Sequence, residues 1–173
     1  MPISLHDALV PSFRQVIGAS LGLLHKAEAF CAEKGHAETD VIGHSLAPDM
    51  LSVPFQVKSI AGHSMGAIEG VRAGSYSPDL SPAPADFAGL KALLVSADDG
   101  LAALDPAELD GFIGRDMLFQ MRDMKMPFTA ENFLLSFSQP NFYFHAATLY
   151  GILRNKGLSL GKRDFLGMPR LKA

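Results

Sequence analysis

The chain has 173 residues, 48% of them hydrophobic and 19% charged, with a formal net charge of −3. That is one domain's length with enough apolar surface for a core, which excludes overall disorder, and the slight acidity argues against a general nucleic-acid binder. The lone Cys31 leaves no internal disulfide and no cysteine metal cluster. No apolar run is long enough to span a bilayer, and the start Met1-Pro2-Ile3-Ser4 lacks the regions of a secretory leader. The expectation is one domain over residues 1–173, cytoplasmic and away from membranes.

Ser4 before Leu5, with Asp7 three residues on, marks a helix start. Leu9, Phe13, Val16, Ser20, Leu24, Ala27 and Cys31 follow at steps of three and four, predicting a first helix that ends near Gly35, with Pro11 allowing a bend or a late start. Cys31 falls on this stripe as a small core residue. Residues 36–51 form a connector with a short helix from Thr39 to His44. Ser52 caps a second helix with Pro54 in its first turn, running to about Arg72. On it Gln56, Ile60, His63, Ala67 and Gly70 share one stripe. Gly62, Gly66 and Gly70 share another, and a glycine face in a helix implies the close approach of another backbone.

A proline-rich loop spans residues 73–85. Phe87, Leu90, Leu94, Ala97, Leu101 and Leu104 then define a third amphipathic helix. Asp105-Pro106-Ala107-Glu108 begins a short turn of helix. The segments 117–121 and 124–128, separated by Arg122-Asp123, read as a small hairpin. Thr129 caps a fourth long helix, which Pro140 should kink and Gly157 should close. Its apolar recurrence is Leu134, Phe137, Phe144, Leu149 and Ile152, with Asn141 and His145 one turn apart on the same side. The last residues form a basic, solvated tail, anchored by Leu160, Phe165 and Leu166. The sum is an all-α four-helix bundle with a small β-hairpin before the last long helix.

Three chemistries compete. Gly62-His63-Ser64-Met65-Gly66 matches the G-x-S-x-G nucleophile elbow, which would make Ser64 the nucleophile of a serine hydrolase. The elbow needs a strand before it and βα units around it, and this chain supplies almost none. The second is a metal site. The histidines are His6, His25, His36, His44, His63 and His145, and no pair is three to five residues apart. A site would have to join His63 and His145 across two helices, with Asp49 or His44 from the connector, and zinc, nickel or iron are the cations such ligands suit. The third is acid–base or ligand-binding work at His145, whose ordinary pKa lies near neutrality. Two polar groups in an apolar stripe must be paired or hydrated. His145 should therefore be buried and bonded to Asp49, Gln56 or Asn141, with Tyr150, Tyr143 and Thr148 as further contacts for a small molecule.

The segments 46–50, 54–57, 140–145, 150–154 and 161–167, with 4–8 and 10–13, resemble in order a bacterial domain of unknown function within the DinB/YfiT-like superfamily. The resemblance covers essentially the whole chain. It implies a four-helix bundle and a homodimer. In many superfamily members three histidines hold a divalent metal, one on the second helix and two, four residues apart, on a later one, and some are thiol-transferases. Here His63 and His145 stand as two of the three, and Leu149 occupies the third place. The resemblance thus implies a DinB-like protein with an incomplete metal site, binding a small molecule or partner near His145. It also places Ser64 inside a helix.

Overall fold

The computed structural model describes residues 3–172; the ends of the expected domain, residues 1, 2 and 173, lie outside the described residues. Helix α1 (Leu5–Lys34) begins where Ser4 accepts the Asp7 amide and ends at Gly35 in the left-handed region, φ 70°. Pro11 does not interrupt it, although the Asp7 carbonyl loses its usual donor there. The connector helix α2 (Glu38–Ile42) is shorter than expected and stops before His44, since Gly43 already closes it onto the Thr39 carbonyl.

The second long helix is α3 (Val53–Ala61), a π-helical turn over Gly62–Gly66, and α4 (Ala67–Ala73). Strand β1 (Ser75–Tyr76) follows. Helix α5 (Phe87–Ala102) is capped by the Asp86 carboxylate on the Gly89 amide, and it ends short of Leu104. Helix α6 (Pro106–Asp110) follows with Asp105 as its cap, accepting the Ala107 amide. The predicted hairpin is β2 (Asp116–Met121) and β3 (Met124–Thr129), in register Met117 to Phe128 and Phe119 to Met126. Arg122 takes a positive φ of 53° at its turn. The hairpin is part of a three-stranded sheet, because β1 pairs in parallel with β2. A two-residue strand carries no periodicity to read in advance.

The fourth long helix is α7 (Ala130–Asn132), a second π-helical turn over Phe133–Ser138, and α8 (Gln139–Asn155). Helix α9 (Lys162–Leu166) then lies across α1. The four long helices close a ring: α1 packs on α5 and α8, and α3 packs on the same two. Phe13, Phe87, Phe133 and Phe142 are fully buried inside it, with Phe13 and Phe142 at 4.6 Å between ring centroids. Cys31 is buried in the core as expected, and burial raises its thiol pKa.

The fourth helix has a widened turn just before Pro140. A π turn holds one residue more than an α turn, so the apolar phase read through it slips. Leu134 is buried, but Phe144 is 59% exposed, and the buried face of α8 is Phe142, His145, Ala146, Thr148, Leu149, Ile152 and Leu153. In the tail Leu160 is buried and Phe165 packs on Tyr150 at 6.1 Å, while Leu166 stays largely at the surface.

The glycine stripe of the second helix receives β1. A Cβ on Gly70 would lie 2.8 Å from the Tyr76 Cβ and 3.3 Å from the Ser75 carbonyl oxygen, and one on Gly62 would lie 3.1 Å from the Tyr76 hydroxyl. The close approach is therefore partly backbone and mainly the Tyr76 side chain.

Candidate functional site: the histidine pair between α3 and α8

Helices α3 and α8 run antiparallel along this seam. Gln56 lies opposite His145, and His63, two turns after Gln56, lies opposite Ser138, two turns before His145. The two imidazoles lie between these partners, 5.8 Å apart and within 10° of parallel.

The hydrogen bonds fix both tautomers. Gln56 Nε2 donates to the Leu51 carbonyl at 2.8 Å, so its Oε1 is the atom that faces His145 Nδ1 at 2.7 Å. Oε1 can only accept, hence His145 carries its proton on Nδ1. Ser138 Oγ donates to the His63 carbonyl at 3.1 Å and lies 3.2 Å from His63 Nδ1. Both bonds form together only when His63 Nδ1 donates to Oγ. Each ring therefore offers an Nε2 lone pair. No Nε2 contact within the fold satisfies either one, and Thr129 Oγ1 is the one fully buried side-chain polar atom without a partner among the described residues. Both Nε2 atoms consequently reach solvent.

Burial keeps both rings neutral. Desolvation lowers the His63 pKa to about 4, helped by repulsion from His145, and desolvation lowers His145 to about 4. Around them Phe55 meets the His145 ring edge-on at 5.6 Å and Phe144 at 5.3 Å. Tyr76 and Phe137 flank His63, each at 5.9 Å. Desolvation, with Asp79 second, raises the Tyr76 hydroxyl to about 12.

The π turns frame the seam: His63 lies in the first and Ser138 ends the second. Ser64 Oγ donates to the Ile60 and Ala61 carbonyls at 2.7 and 3.1 Å, meeting acceptors that the widened turn loosens. On the other helix Ser136 donates to the Asn132 carbonyl, and Asn141 Nδ2 donates to the Phe137 carbonyl at 2.7 Å, a carbonyl next to the one that loses its donor to Pro140. Residues that bond back to their own helix in this way are doing structural work.

That work corrects several sequence expectations. Ser64 is fully buried, follows helix rather than strand, and has its hydroxyl committed, so it is no nucleophile elbow. Asn141 stabilises the π turn instead of bonding His145. Asp49 is an exposed loop residue with no bond to His145. Tyr150 packs on Phe165, Tyr143 on Phe142, and the Thr148 hydroxyl turns back to the Phe144 carbonyl. His44 bonds Asn155, near the far end of α8. Of the candidates, Gln56, His63 and His145 come together. Ser138, Phe55 and Tyr76 join them without having been assigned a role; the two-turn spacing of Ser138 from His145, mirroring Gln56 and His63, was the available signal.

The donor set does not fit a resident divalent metal. Both rings have the inner-face hydrogen bond typical of metal-bound histidine. A catalytic zinc site nevertheless takes three protein ligands, and among the described residues no three His, Cys, Asp or Glu side chains come together as a metal site. Leu149, at the place of the implied third ligand, is fully buried core. Two surface grooves, of about 440 and 470 Å³, lie along α1 near Gly157–Leu160 and near α9, away from the pair.

This architecture is that of the DinB family. The chain superposes with a TM-score of 0.81 on the crystal structure of a DinB family member from Shewanella denitrificans, at 26% identity over 98% of this chain and 95% of that one. Residues 5–166 match the model of the family described as Domain of unknown function (DUF1993), and the chain belongs to that family. No curated protein matches it in sequence.

Proposed function

We propose that the protein binds a small molecule at the His63–His145 pair and works without a resident divalent metal. One observation carries this. Both Nδ1–H groups are engaged inside the fold while both Nε2 lone pairs, on neutral rings, open outward. A ring with a pKa near 4 is a weak base at neutral pH, well below the range that suits a general base, so the pair is built for recognition rather than proton abstraction. The alternative of a metal-dependent, thiol-transferase-like enzyme rests on the same two histidines and lacks the third ligand.

The test has two arms. Elemental analysis of protein purified without a histidine tag should find far less than one zinc, nickel or iron per chain; a stoichiometric metal lost in His145→Ala overturns the metal-free reading. A fragment library followed through the ring ¹⁵N signals should contain molecules that move both Nε2 resonances; a library that moves neither overturns the binding role. The setting that goes with this role is cytoplasmic, supported by a lone buried thiol of the kind reducing compartments preserve. A homodimer is part of the proposal. The superfamily resemblance supports it, as do large apolar side chains left at the surface, among them Val95 and Ile113.

A further inference from the structure

We infer that the His63–His145 site selects neutral aromatic molecules carrying a hydroxyl or amino donor, phenols first among them. This rests on the binding role proposed above and adds the chemistry of the ligand.

The hydrogen-bond inventory excludes most alternatives. The protons on the inner side of the seam have acceptors. Gln56 Nε2 gives to Leu51, His145 Nδ1 to Gln56, His63 Nδ1 to Ser138, Ser138 to the His63 carbonyl, and Ser64 to Ile60 and Ala61. What the two rings turn outward is a pair of acceptors, so the ligand has to bring protons to them; beside His63 the Tyr76 hydroxyl adds a donor of its own. An ether or ketone would leave both Nε2 atoms unmet.

Charge is excluded next. Neither ring takes part in an ion pair among the described residues. A carboxylate or phosphate would face the two Nε2 lone pairs, which repel it. An amidinium or ammonium would lose its hydration with no anion to offset the loss.

The walls supply the aromatic preference. Phe55 and Phe144 set their rings edge-on to His145, yet are 42% and 59% exposed. Two large aromatic surfaces left open beside a polar ring suit a flat apolar body, which edge-to-face contact rewards. A phenol satisfies all three conditions: it is neutral at pH 7, flat, and a stronger donor than an aliphatic alcohol.

The test uses the full chain at pH 7. Phenol, catechol and aniline are titrated against anisole, benzoate and benzamidine, with the histidine ring ¹⁵N signals and calorimetry as readouts. Phenol and catechol should move the Nε2 resonances of both rings, and anisole, benzoate and benzamidine should bind at least about tenfold more weakly, the worth of one hydrogen bond. His145→Phe should lower phenol affinity by about tenfold; the ligand comparison on the unaltered protein stands even where that variant does not fold. Anisole binding as tightly as phenol, or either charged compound binding more tightly, overturns the inference and leaves the binding role intact. No fragment of any kind moving either ring removes the binding role itself.

Discussion

The Gln56–His145 hydrogen bond is the contact that fixes the tautomer of the site, and its energetic weight can be measured. Gln56→Leu keeps most of the side-chain volume but leaves the His145 Nδ1–H, on a ring only 9% exposed, without an acceptor. It also takes the donor from the Leu51 carbonyl. A buried polar group left unmet costs about 1–3 kcal/mol. His145→Leu makes the reciprocal error, stranding the Gln56 amide oxygen, at a similar cost; His145→Ala adds a cavity term. Replacing both partners by apolar groups removes the stranded atoms together, so the double variant should lose less than the two single losses combined, by about 1–2 kcal/mol. Urea unfolding followed by circular dichroism gives the four stabilities, and for a chain of 173 residues each kcal/mol corresponds to about 2–4 °C in Tm. Additivity within about 0.5 kcal/mol would refute the pairing, because independent sites add and bonded ones do not.

Folding lowers the pKa of both histidines from 6.5 to about 4, so below pH 6.5 the unfolded chain binds protons that the folded chain refuses. Their contribution is whole above pH 6.5 and is lost as pH falls toward 4, by up to about 3 kcal/mol per ring. Urea midpoints should therefore drop more steeply between pH 7 and 4.5 in the native protein than in His63→Leu/His145→Leu; equal slopes would contradict this. Gly70→Ala pushes a methyl to 2.8 Å from Tyr76 Cβ and should cost about 1–3 kcal/mol. Gly22→Ala, in the middle of α1 with nothing within 4 Å, should stabilise by about 0.5–1 kcal/mol, and chemical denaturation distinguishes the two signs. Light scattering should give twice the chain mass of 18.5 kDa at micromolar concentration; a single mass of one chain would contradict the homodimer.

The long helices and the hairpin were legible because their signals are local. Ser4, Asp105 and Gly35 act as the caps their residue types suggest, and the steps of three and four in α1 and α5 survive folding intact. Reading failed where the helical period itself changes. Counted from Phe137 across the widened turn in 3.6-residue steps Phe144 falls inward, whereas within α8 it stands five residues before the buried Leu149, about 140° round the helix, and faces solvent. The same device hides in Gly62-His63-Ser64-Met65-Gly66, which matches a hydrolase pattern by composition and is a π turn by geometry. Gln56, His63 and His145 were legible as polar residues on apolar stripes. Ser138 was legible only through its two-turn spacing from His145, which mirrors Gln56 and His63; its residue type does not set it apart from Ser136.

The two π turns explain why the site lies where it does. An α-helix repeats its contacts so regularly that a polar side chain on the buried stripe has little choice of direction. Inserting one residue releases backbone carbonyls and re-aims the side chains next to them, which is why such turns accompany functional sites. Here the insertion occurs on both sides of one seam. His63 lies inside the first π turn and Ser138 closes the second, and the two are joined by a reciprocal pair of bonds, hydroxyl to carbonyl and ring to hydroxyl. The loosened carbonyls are held by Ser64 and Asn141. Two widened turns, each satisfied by its own side chains and tied across the interface, amount to a device for placing two like tautomers side by side. A core that needed only packing would have kept two regular helices and two leucines.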